Sequence, residues 1–138
     1  MDINKVMVLG AGQMGNGIAH VLAQTGYEVI LCDINKAGLD KGMATIDKNL
    51  SRMVSKERIT EEQKQATLSK ITGTTKQEDG ADVQLVIEAV TENKDLKFKI
   101  FKNLDNIIND DAILASNTST ISITEIAAAT NRPEKVVG

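Results

Sequence analysis

The chain has 138 residues, 41% of them hydrophobic and 25% charged, which suits one soluble globular domain with a sizeable core. Its formal net charge of −3 excludes a general nucleic-acid binder, which needs a clear positive excess. No apolar run approaches the ~18 residues of a membrane span, and the N-terminus enters a strand pattern directly, with no signal-peptide core. A cytoplasmic protein without membrane or nucleic-acid partners is expected.

The predicted elements alternate along the chain. Lys5–Leu9 is a short apolar run ending at glycine and reads as a buried strand. A helix follows, with Gly15, Ile18, Ala19 and Leu22 on one face and Gly26 closing it. Glu28–Cys32 is a second strand. Leu39, Met43, Ile46, Leu50 and Met53 mark one face of a long amphipathic helix. Thr60 with Gln63 forms a capping-box pattern for a shorter helix through about Leu68. Strands are predicted at Ile71–Thr74 and Val83–Ile87, then a helix with the stripe Leu96, Ile100, Leu104, Ile107. Ala112–Ala115 is the fifth strand, Ser122 with Glu125 caps a short helix, and Lys135–Gly138 begins a sixth strand. This alternation implies a mostly parallel sheet covered on both faces.

The one cysteine, Cys32, excludes an internal disulfide and a cysteine-rich metal site. Set in an apolar strand, it reads as a buried structural thiol. The one histidine, His20, falls in the first helix and reads as a helix-face residue rather than a catalytic base. No metal site is expected.

Gly10-Ala11-Gly12-Gln13-Met14-Gly15 is a G-x-G-x-x-G run that follows a strand and opens a helix inside a strand–helix–strand unit, the setting of a dinucleotide-binding turn. Gly10 permits the tight turn, Gly12 lets a pyrophosphate approach the backbone, and Gly15 lets helix and strand pack closely. The free N–H groups of the helix start, at Gln13 and Met14, face negative charge. Asp33, after the second strand, stands close to the ~20-residue spacing of the acid that holds the adenosine ribose and would repel a 2′-phosphate. NAD is therefore preferred to NADP, although Lys36 lies close by. The fold expected is a Rossmann-type doubly wound α/β sheet.

Two polar clusters follow later strands, Glu88-Ala89-Val90-Thr91-Glu92-Asn93 and Ser116-Asn117-Thr118-Ser119-Thr120. With VMVLGAGQMGNGIA, VILCDIN, LVIEAVTEN, and ILASNTSTISITEIA running into RPEKVVG, the chain resembles the 3-hydroxyacyl-CoA dehydrogenases, including the 3-hydroxybutyryl-CoA enzymes, nearly end to end. The resemblance implies reversible oxidation of an L-3-hydroxyacyl-CoA to the 3-oxoacyl-CoA, with hydride passing to NAD. Glu92 and Lys97 match positions on the nicotinamide side of the cofactor, and Asn117 lies next to that site. Ser119 matches the serine that hydrogen-bonds the substrate's 3-oxygen, with Thr120 where the family often has a second serine.

Lys48, Arg52 and Lys56 recur at i, i+4, i+8 and make a cationic stripe if the helix extends that far. Such stripes are usually solvated faces; the resemblance implies CoA contacts at Asn49 and Lys56. In the family a catalytic His, its Glu partner, a further Asn and a helical dimerisation domain follow the stretch matching RPEKVVG, and none of these is in the chain. Residues 1–138 are thus expected to be the cofactor domain of a longer, homodimeric enzyme: monomeric alone, binding NAD with little turnover, and exposing an apolar patch where the second domain docks. Two alternatives are a dehydrogenase of another hydroxy acid on the same N-terminal domain, and a non-catalytic NAD-binding module.

Overall fold

The computed structural model describes residues 2–90, 93–117 and 122–138. In chain order the elements are β1 (Lys5–Leu9), α1 (Gln13–Thr25), β2 (Glu28–Cys32), α2 (Lys36–Ser55), α3 (Glu61–Ser69), β3 (Ile71–Thr74), β4 (Leu85–Glu88), α4 (Lys94–Ile107), β5 (Ile113–Ser116), α5 (Ile123–Ala128) and β6 (Val136–Val137). The strands form one sheet in the order β3-β2-β1-β4-β5-β6. Every described pairing is parallel. This is the Rossmann order, whose direction of winding reverses between β1 and β4 and leaves a crevice at the carboxyl ends of those strands.

The period-two alternation of each strand divides the core between two faces. Met7, Leu9, Ile30 and Cys32 pack with Phe101 and Leu104 of α4. Val8, Val29 and Leu31 point the other way, onto Ala19 of α1 and Leu39, Ile46 and Leu50 of α2. Because α1 and α2 cover β1 to β3, the corresponding face of β4 and β5 is only half covered, at Leu85, Ile87, Ile113 and Ala115.

Helix ends follow the local signals. Gly26 closes α1 in the left-handed region (φ +118°), its N–H reaching the Leu22 and Ala23 carbonyls. Thr60 and Gln63 form the reciprocal capping box. Asn35, Asn93 and Ser122 cap α2, α4 and α5. Where α4 ends, Arg132 lies buried and binds main chain: its Nη1 donates to the Asn109 and Ala112 carbonyls (2.6 and 3.2 Å), its Nη2 to those of Asp105 and Ile108 (3.1 and 3.0 Å). Its Nε meets Asp105 Oδ1 at 2.7 Å. Carbonyls orphaned at the helix C-terminus are thereby satisfied.

Four expectations move. β6 is confined to Val136–Val137, because Pro133–Lys135 form a single 3₁₀ turn that takes Lys135 out of the strand. β4 starts at Leu85 rather than Val83, because the Val83 N–H closes a turn onto the Gly80 carbonyl. β5 starts at Ile113, because the Ala112 N–H is held by the Asn109 carbonyl. The stripe of α4 also turns toward Lys97, Ile100, Phe101 and Leu104, which are buried, while Leu96 is 37% exposed. A lysine occupies that face because a carboxylate waits beneath it. Among the described residues no helix is long and apolar enough to cross a membrane.

Candidate cofactor crevice

β1 ends in the glycine turn at the point where the sheet reverses. Gly10 adopts φ +105°, and a Cβ there would come within 2.8 Å of the Ala89 carbonyl after β4. A Cβ on Gly15 would lie 1.6 Å from the Gly10 carbonyl oxygen, so helix and turn meet at a distance no other residue allows. At Gly12, by contrast, a Cβ would meet no atom within 4 Å: that side of the turn is open to a ligand. Gln13 and Met14 begin α1, which carries no acidic residue in its first turn, so its N–H groups and dipole face the opening without competition.

Asp33 lies on the β2 side of the turn. Its Oδ2 accepts from the Ala11 N–H at 3.0 Å and its Oδ1 from the Asn35 N–H at 2.9 Å. Both oxygens are held in place while retaining lone pairs toward the crevice. Lys36, three residues beyond Asp33, pairs with Asp40 one helical turn along. Cys32 is buried, and burial together with the Asp33, Asp79 and Glu78 carboxylates pushes its thiol up to about 12. It is inert packing, as its setting suggests. His20 is half-buried on α1, and burial pulls its imidazole below the usual value.

On the β4 side a second carboxylate is wholly buried. Glu88 and Lys97 are both 0% exposed, with Lys97 Nζ at 3.1 and 3.0 Å from the two carboxylate oxygens. Ser116 Oγ donates to Glu88 Oε1 at 2.6 Å and the Val90 N–H to Oε2 at 2.7 Å. Alternation explains the meeting: Glu88 and Ser116 face each other in register and share a sheet face with Val86 and Leu114, the face covered by α4. Asn117 is exposed at the same edge, its N–H on the Glu88 carbonyl (2.9 Å).

Between α4 and the ends of β1 and β2 opens a cavity of about 510 Å³. Its apolar wall includes Leu9, Ile34 and Leu96, and its rim carries Lys99, Asn103 and Asn106. These rim residues of α4 were not singled out from the sequence, although their spacing of four and three residues places them on one helix face. Also missed was Gly42, where a Cβ would stand 2.5 Å from the Ala11 carbonyl. There α2 presses on the glycine turn.

The structure thus gathers Gly10, Gly12, Gln13, Met14, Gly15, Asp33, Lys97 and Asn117 at one edge. Asn49 and Lys56 lie elsewhere: at 1.5 Å per residue they are about 20 and 30 Å along α2 from its start. Since α2 runs to Ser55 with Lys56 as its C-cap, the cationic stripe does form, with Lys48, Arg52 and Lys56 all exposed. Glu92 and Ser119 lie outside the described residues, and so does Thr120. Among the described residues no cluster of metal-ligating side chains occurs.

A family model for the NAD-binding domain of 3-hydroxyacyl-CoA dehydrogenase matches residues 5–138. The chain belongs to this family. The 3-hydroxybutyryl-CoA dehydrogenase of Bradyrhizobium diazoefficiens is 53% identical over 136 residues, 99% of this NAD-binding domain and 46% of that protein. The fatty acid oxidation complex subunit alpha of Psychrobacter cryohalolentis is 47% identical over 137 residues, 99% of the domain and 19% of that protein. In structure, the (S)-3-hydroxybutyryl-CoA dehydrogenase PaaH1 of Ralstonia eutropha superimposes with a TM-score of 0.94 at 46% identity, covering 98% of the domain and 48% of that chain. The domain spans about half the length of the 3-hydroxybutyryl-CoA dehydrogenases it matches. Its crevice fits NAD on its own terms: an open face at Gly12, an N-terminus free of acid, and a fixed carboxylate at Asp33.

Proposed function

We propose that this domain is the cofactor half of an NAD-dependent enzyme that interconverts an L-3-hydroxyacyl-CoA, 3-hydroxybutyryl-CoA first among them, with the 3-oxoacyl-CoA. The observation that carries the reading is the Asp33 carboxylate, hydrogen-bonded to the glycine turn at the reversal of the sheet. Family membership and the printed activities of the relatives support the substrate class.

In this reading the pyrophosphate sits over Gly10, Gly12 and Gly15 and the N–H groups of Gln13 and Met14. Asp33 accepts from the adenosine ribose hydroxyls and disfavours a 2′-phosphate, while the pairing of Lys36 with Asp40 keeps that cation occupied. The apolar cavity beside Asp33 takes the adenine. Lys97, Asn117 and Glu92 serve the nicotinamide side, and Ser119 holds the substrate's 3-oxygen. NAD, when bound, supplies the hydride acceptor. Asn49 and Lys56, with Lys48 and Arg52, meet the phosphorylated end of CoA, an extended molecule whose thioester lies at its other end.

The general base and the dimer contacts are assigned to a further part of the intact protein, for which the half-covered face of β4 and β5 is a docking surface. The 138-residue chain is then a monomer that binds NADH with little turnover, since loss of a general base costs about 10²–10⁴ in rate. Acetoacetyl-CoA-dependent oxidation of NADH tests this on the chain and on the intact protein. Activity in the intact protein alone supports the reading; steady turnover by the chain, or activity only with hydroxy acids that carry no CoA, refutes it.

A further inference from the structure

Two carboxylates flank β1 at the crevice, one on each neighbouring strand. Asp33 follows β2 and Glu88 ends β4, where it pairs in register with Leu9. Each accepts the N–H of the residue two positions on, Asn35 and Val90 respectively. The difference is exposure. Asp33 is half-buried and faces the crevice, whereas Glu88 is sealed beneath it.

A sealed ion pair is a poor way to gain stability, because the desolvation of both charges offsets most of their attraction. What Glu88 does achieve is connection. Its four hydrogen bonds come from three donors: Val90 opens the segment after β4, Lys97 belongs to α4, and Ser116 ends β5 just before Asn117. In this sheet order, the half built from β4 to β6 receives the second mononucleotide of a dinucleotide, across the reversal from the first. Val90 and α4 also line the cavity beside Asp33, whereas Ser116 leads directly into Asn117 at the far side of the reversal, so the carboxylate bears on the second half more than on the first.

We propose that Glu88 is a positioning residue for the nicotinamide half of the site, locking Val90, Lys97 and Ser116 into one unit so that affinity for that half depends on it more steeply than affinity for the adenine nucleotide half. The inference rests on the reading of the crevice as an NAD site. Asp33 anchors the adenosine half separately, through Ala11.

Calorimetric titration of the chain with NADH and with ADP, which lacks the nicotinamide ribose and ring, separates the two halves. The Glu88→Gln variant is expected to bind NADH about tenfold more weakly, at the lower end of what a lost charged hydrogen bond gives, and to lose clearly less for ADP, about two- to threefold. Equal losses for both ligands, or no loss for NADH, would overturn the proposal. If Glu88→Gln fails to fold, Ser116→Ala decides: it removes one hydroxyl from the same carboxylate without unpairing a charge. A larger loss for NADH than for ADP supports the proposal, and any other pattern overturns it. Wild-type protein that binds neither ligand overturns the NAD reading itself, and this proposal with it.

Discussion

At both ends of the sheet a buried cation meets a buried carboxylate, yet the two pairs are wired differently. At the amino edge, Arg132 divides its donors between Asp105 and four main-chain carbonyls around the end of α4. At the carboxyl edge, Glu88 gathers a lysine, a serine and an N–H from segments that border the crevice. Burial alone does not separate them: the side chains are 5% and 7% exposed in one pair and 0% in the other. The partners do. A charge that caps a helix end serves the fold, and a charge that ties ligand-facing segments together serves the site they form.

Substitutions separate the two edges. Arg132→Ala should have the largest effect on stability, about 3–5 kcal/mol, because it strands the Asp105 carboxylate and unsatisfies helix carbonyls. Urea unfolding measures that loss, and the protein that remains folded should bind NADH with unchanged affinity. A fall in affinity without a fall in stability would erase the distinction between the edges. Lys97→Met should destabilise by a similar ~3–5 kcal/mol, since Glu88 is left buried and charged. Adding Glu88→Gln should restore much of this, so that the double variant is more stable than Lys97→Met alone, a coupling that a double-mutant cycle reads directly.

Within the crevice, Asp33→Asn acts on the ligand more than on the fold. It should weaken NADH binding about ten- to a hundredfold through loss of a charged acceptor, and change the unfolding midpoint much less than Lys97→Met. The smallest effect belongs to Asp40→Ala. An exposed i,i+4 pair contributes about 0.2–0.5 kcal/mol to the helix, but releasing Lys36 should narrow the preference for NADH over NADPH in competition titrations.

Much of this architecture was legible in the residues. β1, β2 and β3 have the predicted bounds: β1 and β2 are apolar runs followed by a turn residue, and β3 starts directly after the end of α3. The glycine turn and Asp33 were legible as well, since every step from strand to turn to helix is local. Less legible were features made by contact across the chain. Gly42 looks like an ordinary helix glycine until α2 is laid on Ala11. Lys94, Lys97 and Lys99 are indistinguishable as lysines in one amphipathic helix; only the register of β4 against β5, with Glu88 opposite Ser116, selects which one is buried. The aliphatic stripe puts Leu96 on the inner face, where Lys97 and Phe101 in fact lie.

The most direct test of the division between the two edges is amide chemical-shift mapping of the chain during titration with NADH. Saturable shifts are expected at Ala11 to Gly15, at Asp33 and Asn35, and at Val90 and Asn117, with residues 105–112 and 131–135 unmoved. Shifts confined to the first group of segments, with none at Val90 or Asn117, would remove the nicotinamide half from the crevice. Shifts centred on Arg132 would contradict the account altogether.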